Sequence, residues 1–457
     1  MALSRDMTAG RPARLILTFS LPILAGNALQ QLYSLVDSLV VGNILGVTAL
    51  SAVSSSGWLD WTVLSIAMGL AQGFSIQIAQ SFGAKRLGEL RRAVGQSLLI
   101  SVIAVVLIGA ASQLLLRPVL ELMNAPDETV GMTERYLRII FAGLPLVMAL
   151  NVLGGFLRAV GDSRTPLIAM VCATAVNIGL DILLIARMRR VEGGAIATVC
   201  AQAVSVLICF LAVRRAPEFR IGRGDLRPDR PMIARLLKLG GPIAFQNFVI
   251  SIGGLVLQGV VNRFPLPFIF GYNTASRMQG LVEIAGGSLG GGVATFVGQN
   301  TGAGRFDRVR DGMRTSAVIG LGLGIAVGLA VAVFGRPLLS LFMGSDEETL
   351  RMADEVLIYG HRFLCVMGAG LPMLYLLFVY RSALQGLGDT VIPMYSGFVE
   401  LAMRIGMALL LPLFLGEWGV YFAEIAAWIG AAVLLMWGYR RRIRNSEFGI
   451  RNEETGT

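Results

Sequence analysis

Residues 21–42 read LPILAGNALQQLYSLVDSLVVG, an apolar stretch whose one carboxylate is Asp37. At helical spacing Gln30, Tyr33 and Asp37 fall on one face, so a greasy helix carries a polar stripe. Inside a membrane helix an ionisable group costs about 3 kcal/mol on insertion scales, and it marks an ion pathway, a proton relay or a substrate partner. In a buried soluble helix the same carboxylate would need only a structural partner. The rest of the chain decides between these settings.

Hydrophobic residues make up 55% of the sequence and charged residues 15%, with a mean hydropathy of +0.69. Soluble domains carry about a quarter charged residues, so this composition belongs to a polytopic membrane protein. Counted as helices of about 20 residues with short loops, the 457 residues make about twelve spans. The net charge of +10 does not indicate nucleic-acid binding, because the basic residues sit in short clusters between apolar runs without stacking aromatics. Cys172, Cys200, Cys209 and Cys365 lie in apolar runs without a CxxC pair, and His361 is the only histidine. A Cys/His metal site is therefore not expected, and the cysteines are expected to be buried packing residues. The apolar run after Arg14 is too long for a signal-peptide core and is expected to stay as the first helix.

Apolar runs bounded by Gly, Pro and charge predict helices near 15–46, 50–80, 92–116, 131–157, 165–186 and 193–213, then near 233–262, 268–300, 312–335, 355–383, 390–415 and 418–439. The polar stretch 214–235, rich in Arg and Pro, reads as a basic cytoplasmic linker. It separates an N-terminal six-helix lobe (1–213) from a C-terminal one (236–442), with 443–457 as a cytoplasmic tail. Lys85, Arg86, Arg158, Arg164, the linker arginines, Arg305, Arg308 and Arg440–Arg444 fall on one side of twelve alternating helices. The excess of Lys and Arg places that side, with both termini, in the cytoplasm. Asp127, Glu128, Asp346, Glu347 and Glu348 fall on the other side, and Arg187, Arg189 and Arg190 break the rule.

The two halves repeat each other at an offset of about 220 residues. Pro22 and Asn27 match Pro242 and Asn247; AQSFGAKR (79–86) matches GQNTGAGR (298–305); Gly143-Leu144-Pro145 matches Gly370-Leu371-Pro372; GDSRTP from Gly161 matches GDTVIP from Gly388. Six helices per half keep the copies in one orientation, as in transporters that alternate access around a central cavity. In this repeat, the PIxxxN opening of each half, the QxxGA loops and the GD turns, the chain resembles the multidrug and toxic compound extrusion (MATE) transporters from Arg14 to about Arg442. The resemblance implies an all-α membrane protein of twelve helices in two six-helix lobes related by pseudo-two-fold symmetry. It also implies an exporter of organic cations or other drugs, driven by protons or sodium.

In the fifth predicted helix Asn177 and Asp181 are spaced i, i+4 and share a face. With Asp37 they supply hard oxygen ligands for a sodium ion, or two carboxylates to share a proton. Asp181 reads equally well as a solvated residue near the outer membrane face. The resemblance favours the cation site, since one branch of the family builds it from a first-helix Asp, a fifth-helix Asn and Asp and a sixth-helix Thr, beside a first-helix Gln and Tyr. The matching positions here are Asp37, Asn177, Asp181, Thr198, Gln30 and Tyr33. For Thr198 and Tyr33 the residues alone suggest packing. Pro22 matches the family's first-helix proline, which leaves a carbonyl unpaired and permits a bend. The seventh- and tenth-helix acids of a sodium-coupled branch are replaced here by Ile250 and Leu374. Glu283, with no pairing partner along its own helix, is a candidate for attracting cationic drugs. Glu400 and Arg404, at i, i+4, read as an ion pair within one helix, and Asp60, flanked by Trp58 and Trp61, as a solvated interfacial acid.

These readings combine into a monomeric multi-pass antiporter of the bacterial inner membrane. It exports amphipathic, mostly cationic compounds, takes H+ or Na+ as coupling ion, uses no cofactor and binds no nucleic acid. A flippase for lipid-linked oligosaccharides, of the same superfamily, is the alternative, although the acidic N-terminal lobe suits a phosphate poorly. No HExxH motif and no nucleophile with a partnered histidine supports an enzyme.

Overall fold

The computed structural model describes residues 4–122, 127–342 and 351–455. Asp346, Glu347 and Glu348, expected in an outer loop, lie outside the described residues. The chain is helical throughout: α1 Pro12–Leu45, α2 Val47–Gly83, α3 Leu87–Leu122, α4 Asp127–Ala142, α5 Leu144–Ala159, α6 Arg164–Met188 and α7 Glu192–Arg215, then α8 Arg230–Val261, α9 Leu266–Gly302, α10 Phe306–Phe342, α11 Ala353–Gly386, α12 Val391–Leu410, α13 Pro412–Leu415 and α14 Glu417–Thr455. Among the described residues eleven helices are long and apolar enough to cross a membrane. The pair α4 and α5, bent by 46° where Gly143 precedes Pro145, makes the twelfth span. A proline in the first turn of α5 needs no hydrogen bond from its nitrogen, so the chain restarts a helix at that bend.

The sequence repeat reappears as repeated turn geometry. After α2, Lys85 N–H donates to the Phe82 carbonyl and Arg86 N–H to that of Ser81; after α9, Gly304 and Arg305 make the same bonds to Thr301 and Asn300. The shared turn requires a positive φ, which is 56° at Lys85 and 70° at Gly304. Both GD motifs also turn through a left-handed glycine, with φ of 91° at Gly161 and 81° at Gly388. The aspartate that follows caps the next helix: Asp162 Oδ1 accepts from the N–H groups of Arg164 and Thr165, and Asp389 Oδ1 from that of Ile392.

By contacts the chain forms two units. The first comprises Met1–Met7 and Leu21–Phe245, the second Thr8–Ser20 and Gln246–Thr457. The start of α8 belongs to the first unit because Gly69 and Gly73 of α2 let its backbone in: a Cβ on either would overlap the backbone of Ala244 or Gly240. Ile76, Leu239 and Ile243 form a buried cluster at this contact, and Arg235 pairs with Glu89 at 3.0 Å. The start of α1 belongs to the second unit, where Arg305 donates to the Thr8 carbonyl at 2.8 Å and Arg308 to that of Gly10 at 2.9 Å. The stretch 214–235, expected as a linker, packs within the first unit. Gln96 of α3 donates to the carbonyls of Asp225 and Arg227 and accepts from the N–H of Asp229.

Large apolar side chains on α3, α6 and α10, such as Val102, Leu183 and Val318, are exposed, as expected of surface facing lipid rather than water. The cysteines correct one expectation: Cys209 is buried, but Cys172 and Cys200 are exposed on α6 and α7. An apolar run in a membrane helix can turn toward the core or away from it, and these two cysteines turn away from it.

Candidate functional site

Three helices of the first unit converge on a polar cluster. α1 carries Gln30, Tyr33 and Asp37, α6 carries Thr174, Asn177 and Asp181, and α7 carries Gly194, Thr198 and Gln202. α6 buries a narrow seam of Thr165, Ala169, Ala173, Asn177, Asp181 and Ile185 at i, i+4 spacing. The facing seam on α7 is of small residues, among them Gly193, Ala197, Ala201 and Ser205. Small residues let the two helices close up, which draws the polar end of the α6 seam inside.

Asp37 is 9% exposed, Asn177 2% and Asp181 0%. The two carboxylates meet over Gly194: a Cβ there would lie 3.3 Å from Asp37 Oδ1 and 3.8 Å from Asp181 Oδ1. Just along the same helices a cavity of about 60 Å³ is lined by Gln30, Tyr33, Thr174, Asn177, Thr198 and Gln202, with Leu150, Met170, Ala173, Ala201 and Ser205 completing it. At ~10–15 Å³ per water, it holds a few waters or a partly hydrated ion. Asp37 Oδ1, Thr174 Oγ1, both amide atoms of Asn177, both oxygens of Asp181 and Gln202 Oε1 are buried without a hydrogen-bond partner. Buried polar groups of folded proteins are ordinarily paired, so a set of orphaned oxygens with two carboxylates among them has the chemistry of a proton or hard-cation site. Among the described residues no group of three His, Cys, Asp or Glu side chains is placed to hold a metal; a sodium ion would draw on the two carboxylates and the Asn177 amide.

The structure thus gathers Gln30, Tyr33, Asp37, Asn177, Asp181 and Thr198 in one place. Sequence reasoning missed Thr174, Gly194 and Gln202, although Thr174 shares the helical face of Asn177 and Gln202 that of Thr198, a signal available from spacing. Pro22 lies inside an unbroken α1. Asp60 corrects an expectation: it lies between three and four turns into α2, and its Oδ1 is buried and unpartnered rather than solvated. α2 begins three residues earlier than expected, which moves Asp60 further from its end.

Among the described residues the second unit lacks a counterpart. Leu257, at the repeat position of Asp37, is buried and apolar. Glu283 of α9 accepts a hydrogen bond from Gln279 at 2.6 Å. The expected pair of Glu400 with Arg404 is replaced by two pairs between helices. Arg381 of α11 binds Glu400 and Ser396, while Arg404 donates to Glu424 of α14 at 2.9 and 3.1 Å. Packing of α12 between α11 and α14 offers each side chain an oppositely charged partner in better geometry than its own helix does.

Two helical units with repeated turns, and unpartnered acids buried in one of them, suit a membrane transporter. The profile of the MatE family matches residues 22–183 and 242–410, and the chain belongs to this family, the multidrug and toxic compound extrusion transporters. It is 29% identical to the probable multidrug resistance protein YoeA of Bacillus subtilis over 440 residues, 92% of each chain. It is 25% identical to the FAD transporter of Shewanella oneidensis over 343 residues, 74% of this chain and 75% of that one. A crystal structure of a MATE protein in complex with MaL6 superposes with a TM-score of 0.89 at 24% identity, covering 97% of this chain and 98% of that one.

Proposed function

We propose that this transporter is a secondary active exporter of amphipathic organic cations, driven by inward flow of H+ or Na+ through the acid cluster of its first unit. The observation that carries the reading is the meeting of Asp37 and Asp181 over Gly194, beside a polar cavity, with their oxygens unpartnered. Such a cluster is most stable with a cation or proton bound. Binding and release there bias the first unit between two arrangements, and α1, which carries Pro22 and Asp37 on one helix, is the element through which the bias reaches substrate. Gln30, Tyr33, Asn177 and Thr198 complete the coordination. Relatives carry names as different as multidrug resistance protein and FAD transporter. The acids of this chain, with Glu283 in the second unit as the attracting group, favour a cation over an anion. The distribution of Lys and Arg supports a bacterial inner-membrane protein with both termini cytoplasmic.

The test is uptake of ethidium into everted vesicles, whose lumen is the outer side, with proton and sodium gradients imposed separately. One H+ or Na+ exchanged for one ethidium cation moves no net charge, so the imposed ion gradient itself sets the ceiling, about tenfold in ethidium for each tenfold of ion, or ~1.4 kcal/mol. Accumulation of that order in response to one of the gradients is expected, with collapse in Asp37→Asn although the protein still reaches the membrane. Uptake retained by Asp37→Asn would remove the cluster from the mechanism, and a response to neither gradient would favour the flippase.

A further inference from the structure

On the first unit α3, α5 and α7 enclose a groove of about 690 Å³, within the ~300–1,000 Å³ of sites for drug-sized ligands. Its walls are apolar, Leu98, Val105, Met148, Val152 and Val206 among them. Its rim residues Val102, Val106 and Phe210 are 64%, 62% and 48% exposed on membrane-spanning helices, so the groove opens to hydrocarbon. One end is closed by the turn after α7, the 3-10 helix Pro217–Phe219. There the buried Phe219 stacks on Phe156 of α5 at 5.9 Å. Arg91 of α3 holds the turn by donating to the Pro217 carbonyl at 3.3 Å.

That closed end is cationic. Arg214, in the last turn of α7, and Arg220, just after the 3-10 helix, both line the groove, and both are exposed. Neither has an acidic partner among the described residues, and the half-buried Glu218 between them makes no ion pair there. An apolar slot open to lipid and ending in two unpaired guanidinium groups matches one membrane component in both chemistry and placement. A cationic drug would meet two like charges at this end, and a second copy of the chain would bring arginines against arginines. We propose that the groove binds an anionic phospholipid, with its phosphate between Arg214 and Arg220 and its acyl chains along α3 and α5. Its occupant would press on the helices of the acid cluster: on α7, Val206 lines the groove while Ser205 lines the polar cavity, and on α5 Ala149 and Leu150 divide in the same way.

Native mass spectrometry of the purified full chain, exchanged into micelles containing dioleoyl-phosphatidylglycerol or dioleoyl-phosphatidylcholine, tests this. The wild type is expected to retain one phosphatidylglycerol in preference to phosphatidylcholine. The double variant Arg214→Ala/Arg220→Ala should lose retention about thirtyfold, the equivalent of ~1 kcal/mol per arginine at an anionic surface. The Arg214→Lys/Arg220→Lys variant should retain the lipid, which separates charge from folding. Ala149→Trp, which fills the groove and leaves both arginines, should lose it. Equal retention of the two lipids, wild-type retention by the Ala variant or by Ala149→Trp, or displacement of the lipid by ethidium would overturn the proposal.

Discussion

Replacing Asp181 by Asn should make the protein more stable and inactive at once. Asp181 is fully buried, neither of its oxygens has a partner, and the nearest charge is another carboxylate, that of Asp37 across Gly194. An aspartate at the centre of a membrane helix costs about 2.5–3.5 kcal/mol. A neutral amide of the same shape recovers part of this, roughly 1–3 kcal/mol. For a unit of some 230 residues a kcal/mol moves the melting midpoint by about 2–4 °C, so Asp181→Asn should melt roughly 2–12 °C higher. The assay is thermal unfolding in detergent and in choline buffer, which supplies no small inorganic cation, with ethidium efflux measured on the same variant. Glu121→Gln is the control: its side chain is 64% exposed in a surface pair with Arg117, and it should move neither readout. A lower midpoint for Asp181→Asn would mean that the carboxylate holds the fold together, and retained efflux would mean that it carries no coupling. Either result refutes the argument.

In the second unit Glu424→Gln should be destabilising by about 3–5 kcal/mol, because it leaves the buried Arg404 without its charge partner; a midpoint equal to wild type would show that Glu400 takes over. Gln96→Leu removes three hydrogen bonds to the backbone at 225–229 and strands two carbonyls and an N–H, a loss of about 1–3 kcal/mol. Limited proteolysis should then cut within 222–231 at far lower protease than in wild type, and an unchanged pattern would contradict the anchoring role of Gln96.

The helices were legible in the sequence because the bilayer imposes one requirement on every span, about twenty apolar residues, and Gly, Pro and charge clusters mark the ends. The GD repeat was legible for a related reason: a turn through positive φ favours glycine, so both halves keep one there, Gly161 and Gly388; the QxxGA repeat kept its letters although its positive-φ position holds Lys85 in one half and Gly304 in the other. Asp37, Asn177 and Asp181 stood out as ionisable or amide side chains in apolar surroundings, and their spacing put each on a definite face. Partner choice was not legible. Glu400 and Arg404 are compatible with one another along the helix, and only the placement of α11 and α14 assigns them to Arg381 and Glu424. Nor does any local pattern distinguish a cysteine facing lipid from one facing the core, as Cys172 and Cys209 show. Gly194 was hidden for a different reason, since a glycine announces space and not what fills it.

The exchange of segments between the two units bears on how the protein is inherited and how it folds. The sequence repeat divides the chain near residue 220, yet the first unit needs residues up to Phe245 and the second needs Thr8–Ser20. A gene cut between the repeats would give two products, each missing a piece of its own core and carrying a piece of the other's. The stretch that duplicated is therefore not the stretch that folds, and the amino-terminal end of α1, made first, belongs with the residues that are made last.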